Sequence, residues 1–325
     1  MKLPRRGFLR LAAGAAALPA VSRIAFAQAY PTRPVRIIVG LPAGSATDIA
    51  ARLIGQWLSG RLGQPFIIEN RVGAGGNVGT EMVVRSAPDG YTLLMVIGAN
   101  AISATLYAKL NVNFIRDIAP VASVMRTWFV MEVHPSVPAN TVPEFIAHAQ
   151  ANPGKIAMAS AGNETISHVA GELFKMMART DLLHVPYRGA PPALADLIAG
   201  QVQVMFDPLP SSIGYIRDGK LRALAVTTAT RSEMLPHIPT VGEFVPGYEA
   251  SGWVGVGTPK NTPTEIVDKL NKEINVALAD PKIGARIADL GSPVFASSPA
   301  EFANFIGAET EKWAKVIQFA GIKPE

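Results

Sequence analysis

Reactive chemistry in this chain has to come from histidines, carboxylates and hydroxyls, because its 325 residues include no cysteine. That removes thiolate zinc sites, iron–sulfur clusters, disulfides and a cysteine nucleophile. The five histidines, His134, His148, His168, His184 and His237, never fall within four residues of one another. There is no H-E-x-x-H pair, and a metal would need scattered ligands, so neither a metal nor a cofactor is expected. No G-x-S-x-G turn raises a serine nucleophile. Gly73-Ala74-Gly75-Gly76-Asn77-Val78-Gly79 follows a strand and opens a helix, but the third glycine of a dinucleotide fingerprint would fall on Val78, and no lysine completes a phosphate loop. The run reads as a tight turn, either plain or with its amides exposed to an anion ahead of Asn77. A secreted α/β hydrolase or isomerase using His168 with a nearby carboxylate or hydroxyl is the enzyme reading that survives. The missing nucleophile turn and metal cluster count against it, so the chain is expected not to be an enzyme.

Two polar loops carry a different chemistry. Pro42-Ala43-Gly44-Ser45-Ala46-Thr47-Asp48 joins a strand to a helix, with Ser45 and Asp48 at capping-box spacing and the amides of Ala46 and Thr47 at the helix start. Ser160-Ala161-Gly162-Asn163-Glu164-Thr165-Ile166-Ser167-His168 has the same character. Helix starts present unpaired N–H donors and a partial positive charge, which suit a carboxylate. Two such loops facing each other could grip both ends of a small dicarboxylate. Each could also be no more than a capped helix.

The elements that position these loops alternate. Val35–Val39, Phe66–Glu69 and Tyr91–Ile97 read as strands, with helices carrying Ile49, Leu53, Trp57 and Leu58 and spanning Val78–Arg85. The pattern returns with strands at Ile156–Ala159, His184-Val185, Val202–Phe206 and Leu221–Thr227 and helices near Ser167–Met177 and Pro192–Ala199. Such alternation implies mostly parallel sheets covered by helices, an α/β fold. Thr141-x-x-Glu144, Thr262-x-x-Glu265 and Ser298-x-x-Glu301 are capping boxes that start three further helices. The last eighty residues are mainly helical, which suggests that they pack back onto an earlier unit.

Length gives a prior of two domains, and a 49% hydrophobic content excludes a disordered chain. The formal charge of +5 is local: residues 1–27 hold Lys2, Arg5, Arg6, Arg10 and Arg23 and no acid, leaving 25 basic against 25 acidic side chains in the remainder. Without a net field, no nucleic-acid partner is expected. Arg5-Arg6-Gly7-Phe8-Leu9-Arg10, a short apolar run and Ala25-Phe26-Ala27 form a signal peptide of twin-arginine character, with an ordinary secretory signal as the alternative. Cleavage near Ala27 and a periplasmic location are expected.

The chain resembles the extracytoplasmic solute receptors of tripartite tricarboxylate transporters, the Bug receptors, over essentially all of residues 28–325. The resemblance rests on Pro31-Thr32-Arg33-Pro34-Val35, the Pro42–Asp48 loop, Glu69–Asn77, Ala87–Leu94, His184-Val185-Pro186-Tyr187-Arg188-Gly189, Gly200–Asp207, Gly219–Val226, Pro239–Glu243 and Glu311-Lys312-Trp313. It implies a two-domain periplasmic-binding-protein architecture, a flytrap whose hinge is made of crossing strands. Residues 28–128 with 246–325 would form domain I and residues 129–245 domain II. Ligand-binding positions carried over from the family are Ser45, Ala46, Thr47, Asp48, Asn77, Ala99, Asn100, Ser160, Gly162, Asn163, Thr165, His168, Tyr187, Gly189 and Asp207. The sequence departs from the family at Glu164, where a glycine is common; that carboxylate would repel a second ligand carboxylate, welcome an ammonium, or face solvent. The implied function is capture of a small carboxylate by a monomeric receptor, for delivery to membrane transporter subunits. A sensor presenting the same ligand to a membrane histidine kinase is the alternative.

Overall fold

The computed structural model describes residues 30–106, 112–163 and 165–323. The leader, its cleavage site and Glu164 lie outside these residues. Ten strands form two five-stranded sheets. The first contains β1 (Val35–Val39), β2 (Phe66–Asn70), β3 (Thr92–Ile97), β4 (Ile118–Thr127) and β10 (Gly252–Pro259), in the order β2-β1-β3-β10-β4. The second contains β5 (Phe129–Val133), β6 (Ala157–Ser160), β7 (Leu183–Pro186), β8 (Val204–Pro208) and β9 (Arg222–Val226), in the order β7-β6-β8-β5-β9. The α/β class and the two-domain architecture stand, and parallel pairing is confined to the βα repeats β2-β1-β3 and β7-β6-β8. The antiparallel half of each sheet comes from strands that cross between sheets: β4 and β10 in one, β5 and β9 in the other.

The crossings lie side by side. Trp128 alone separates β4 from β5, and residues 227–251 separate β9 from β10. Thr227 N–H donates to Phe129 O at 2.9 Å, Ala250 N–H donates to Thr227 O at 2.9 Å, and Gly252 pairs with Thr127. β10 carries three glycines because its neighbours leave no room: a Cβ on Gly255 would meet Phe302 at 2.3 Å, and one on Gly257 would meet Ile118 at 2.6 Å.

Helices follow from spacing and caps. α1 (Ala46–Leu62) buries Ala50, Ala51, Ile54 and Leu58 on one stripe and stops at Gly63, whose φ of 72° only glycine adopts freely. α2 (Asn77–Val84), α3 (Gly98–Leu106) and the single turn α4 (Phe114–Asp117) complete the first half. α5 (Val142–Ala151), α6 (Ile166–Ala178), α7 (Ala190–Ile198) and α8 (Leu209–Arg217) belong to the second sheet. α9 (Thr264–Leu278), α10 (Pro281–Asp289) and α11 (Pro299–Ala320) end the chain. Of the expected capping boxes, Ser298–Glu301 is complete. Thr141 caps α5, but the Glu144 carboxylate accepts from Asn140 N–H, one residue earlier. The box at Thr262 does not form: its hydroxyl donates to Pro259 O, and α9 starts at Thr264 behind Pro263 without a side-chain cap. α11 returns to pack on α3, β4 and α6. Its Phe302, Ile306 and Trp313 join one buried cluster with Leu94 and Val96 of the first sheet and Met131 and Phe206 of the second.

Candidate functional site

In open α/β sheets, ligand crevices form where parallel strands end and helices begin. Five such joins meet here: β1 to α1, β3 to α3, β6 to α6, β7 to α7 and β8 to α8. Thr47, Gly98, Ala99, Ile166, Ser167, Ala190 and Pro208 bring them to a single cleft of about 280 Å³, closed at its base by Thr127, Phe129, Gly252 and Trp253 of the crossing strands. The two sheets touch across it. A Cβ on Gly98 would lie 3.1 Å from Ile166 Cδ1 and 3.4 Å from Trp253 Nε1, so α3 and α6 approach over a glycine.

The joins differ in the donors they offer. α1 is capped by Ser45, whose Oγ accepts from Asp48 N–H at 3.3 Å, and the amides of Ala46 and Thr47 have no intrahelical acceptor. α6 is capped by Thr165, which accepts from His168 N–H at 3.3 Å, leaving the amides of Ile166 and Ser167. α3 begins at Gly98, with Asn100 Oδ1 accepting from Ile97 N–H at 2.9 Å. By contrast, α7 opens with Ala190-Pro191-Pro192, and α8 with Leu209-Pro210. Proline has no N–H, and Leu209 N–H already donates to Trp128 O at 2.8 Å. Three donor-rich starts therefore face two donor-poor ones. No charged side chain occurs among the described lining residues, so an anion there would be met by N–H groups, hydroxyls and helix dipoles.

Of the sequence-derived positions, Thr47, Ala99 and Thr165 line the cleft, and Ser45 and Ala46 belong to the α1 start beside it. Thr47 is buried, and its hydroxyl has no protein partner. Thr165 lines the cleft with its hydroxyl already engaged: it donates to Gly162 O at 2.7 Å while accepting from His168 N–H.

The remaining positions are not among the lining residues, and most of their polar groups engage protein partners. The Asp48 carboxylate points back into the loop, accepting from Gly44 N–H at 2.9 Å, from Arg52 and from Asn70 Nδ2. Burial alone would raise its pKa, but these hydrogen bonds hold it below the usual range, so it anchors the loop as a carboxylate. Asn70 Nδ2 also donates to Leu41 O at 3.0 Å, tying both loop ends together. Asn100 is buried and donates to Thr80 Oγ1 at 3.1 Å. Asn77 begins α2, whose join does not reach the cleft; the glycine run ahead of it serves close packing, since a Cβ on Gly40 would meet Gly76 Cα at 2.7 Å. Gly162 and Gly189 shape loops through φ values of 127° and 105°. Asn163 lies in the turn after Gly162 and is not among the lining residues.

Ser160 is fully buried, its Oγ 2.7 Å from His184 Nε2. His184 stacks on His168 with ring centroids 3.7 Å apart and planes within 6°. Burial and the His168 charge depress His184 to a pKa of about 4, so it is neutral and props Ser160 from behind. His168 is buried beside Glu172, Nε2 to Oε1 3.7 Å, and is not among the lining residues. The Tyr187 hydroxyl donates to Asp196 Oδ2 at 2.6 Å, and burial with that carboxylate pushes it up to about 12.

Asp207 is fully buried between β8 and β5. Ser212 Oγ lies 2.9 Å from Asp207 Oδ2 and 2.7 Å from Glu132 Oε1. A hydroxyl has one hydrogen to give, so one of these contacts is completed by a carboxyl O–H donating to Ser212, and the pair holds at least one proton. Burial pushes Asp207 up to about 7; burial and the Asp207 charge raise Glu132 well above the carboxylate range.

Sequence reasoning missed the cleft's base and one wall, Trp253, Phe129 and Ile97. The signal that could have found Trp253 is a bulky indole inside the glycine-rich run Gly252–Gly257, where strands approach closely.

A model of the tripartite tricarboxylate transporter family receptor matches residues 50–322. BugT of Bordetella pertussis (strain Tohama I) is 34% identical over 300 residues, covering 91% of this chain and 92% of that protein. The structure of R. palustris Rpa4515 with adipate superposes with a TM-score of 0.77 at 36% identity, covering 91% of this chain and all of that one. MatC of Rhodopseudomonas palustris with bound malate gives a TM-score of 0.73 at 31% identity, covering 89% of this chain and all of that one.

Proposed function

The chain belongs to the tripartite tricarboxylate transporter receptor family, and from that premise we propose that it captures a small carboxylate in the cleft between its sheets, closes around it and hands it to the membrane subunits of a tripartite transporter. The family makes it a periplasmic solute-binding protein and not an enzyme. The observation that carries the ligand reading is the meeting of three donor-rich helix starts, α1 and α3 from one sheet and α6 from the other, on one cleft free of charged side chains. Each helix N-terminus carries roughly half a positive charge and unpaired amides, and opposed starts hold an anion only when the sheets stand close. The ligands of the adipate- and malate-bound relatives support a small carboxylate.

In this reading Ala46, Thr47, Ala99, Thr165 and Ser167 surround the carboxylate end or ends. Domain I comprises residues 28–128 and 246–325, domain II residues 129–245, and bending occurs at Trp128 and within 227–251. The leader of residues 1–27 directs export, by the twin-arginine route on the evidence of Arg5-Arg6, with cleavage near Ala27. Among the described residues no helix is long and apolar enough to cross a membrane, which fits a receptor that works beside a separate transporter. Mass spectrometry of small molecules released on denaturing the freshly purified protein tests the proposal. A stoichiometric carboxylate is expected; the absence of any acid, together with no thermal stabilisation by a carboxylate panel, would refute it.

A further inference from the structure

Apart from Thr127, the side-chain polar groups that line the cleft are gathered at the helix starts, and most of the remaining wall is hydrocarbon. Trp253 forms the base and is 1% exposed. Its single polar atom is already engaged: Nε1 donates to Glu309 Oε2 at 3.2 Å, a carboxylate that also accepts from Trp313 Nε1 at 3.1 Å and from Lys312. Phe302 and Phe305 meet the same indole edge-on, at 5.7 and 5.5 Å. What Trp253 leaves for a ligand is therefore carbon only, in an orientation fixed by α11. Phe129, Ile97 and Ile166 continue that surface, and prolines strip α7 and α8 of first-turn donors.

The hydroxyl inventory points the same way. Thr165 is saturated by Gly162 O and His168 N–H, and Ser167 Oγ accepts from Ala161 N–H at 3.4 Å. Thr47 stands among the α1 amides, where a carboxylate would take it. Thr127, beside the hinge, and the Ser167 O–H, which donates to no described residue, are the lining hydroxyls left over. A ligand hydroxyl in the middle of the body would lose its water and find hydrocarbon. A third carboxylate would find no cation.

We propose that the cleft selects mono- and dicarboxylates with an unsubstituted aliphatic or aromatic body, and that Trp253, oriented by Glu309, is the surface that sets this preference. The inference rests on the carboxylate-receptor reading and narrows it. Burying one unpaired hydroxyl lowers affinity roughly tenfold or more.

Calorimetry on the mature protein with matched probes tests it: C4–C8 dicarboxylates, benzoate and 3-phenylpropanoate, each against its mid-chain or ring-hydroxylated counterpart, with citrate added. At least tenfold tighter binding of the unsubstituted member of each bound pair, and no citrate binding, is the expected result. Equal or tighter binding of the hydroxylated members or of citrate would overturn the selectivity and leave the receptor reading standing. No binding by any member would overturn both. Trp253→Tyr keeps an aromatic base and offers a phenol hydroxyl; in the folded variant the ratio within a pair is expected to narrow at least threefold. An unchanged ratio would remove Trp253 from the account. Ile97→Thr, at a half-buried wall position, adds a hydroxyl with little risk to folding and is expected to narrow the same ratio; no narrowing there would count against an apolar wall as the source of selection.

Discussion

Thr47 and Thr165 look equivalent in sequence, each at a helix start in a polar loop, but their hydroxyls do different work. Thr47 lines the cleft and its Oγ1 has no partner among the described residues, whereas Thr165 Oγ1 donates to Gly162 O at 2.7 Å and receives His168 N–H at 3.3 Å. Replacing each by Val keeps the branched shape and removes the oxygen. A hydrogen bond to a charged group contributes about 1.5–3 kcal/mol, so Thr47→Val is expected to weaken carboxylate binding about tenfold to a hundredfold with an unchanged melting temperature. Thr165→Val loses a cap worth about 1 kcal/mol and strands the Gly162 carbonyl. It is expected to lower the melting temperature by about 2–4 °C and to affect binding less than Thr47→Val. Calorimetric titration with the carboxylate recovered from the protein, paired with thermal melts, separates the two. Unaltered affinity in Thr47→Val, with lost affinity and an unchanged melt in Thr165→Val, would refute this assignment of hydroxyls.

The buried Glu132–Ser212–Asp207 group makes stability pH-dependent. Both carboxyls have folded pKa values raised above the unfolded range, so their contribution is complete below about pH 4 and is lost as pH rises through the folded value, about 7 for Asp207. The melting temperature is expected to fall between about pH 4 and about pH 7, and Glu132→Gln, which cannot ionise, to flatten that fall; parallel curves for the two proteins would contradict the shared proton. Closure is the third expectation: a ligand held from both sheets favours the closed form only through contacts with both. Small-angle scattering is therefore expected to show compaction on saturation, and superimposable apo and saturated profiles would contradict hinge closure.

Much of the fold was legible in the sequence because the βα repeats follow local rules. Val35–Val39 and Phe66–Asn70 are short β-branched runs, and Ser45 and Thr165 cap helices whose apolar stripes recur at helical spacing. The crossing strands were not legible by that grammar. β10 reads as a loop because Gly252, Gly255 and Gly257 interrupt it, and their cause is non-local, the Phe302 and Ile118 side chains that arrive from distant segments. The site was legible as loops and not as side chains. The family positions marked Asp48, Asn100, Ser160, His168, Tyr187 and Asp207, most of whose polar atoms the fold engages with protein partners. Whether a polar side chain faces a ligand or a neighbour depends on partners such as Arg52, Thr80, His184 and Asp196, up to 24 residues away in sequence. The apolar base carried one weak local signal, the Trp253 indole inside a glycine-rich run, and Trp253 takes its place only when α11 folds back to hold it.

Amide chemical shifts test the central claim most directly. Titration of the labelled protein with the carboxylate it carries is expected to move the resonances of Ala46 and Thr47 in one domain and of Ile166 and Ser167 in the other along a single binding isotherm, with the indole N–H of Trp253 still protected. Shifts confined to one domain, or centred away from these helix starts, would contradict capture of the anion between them.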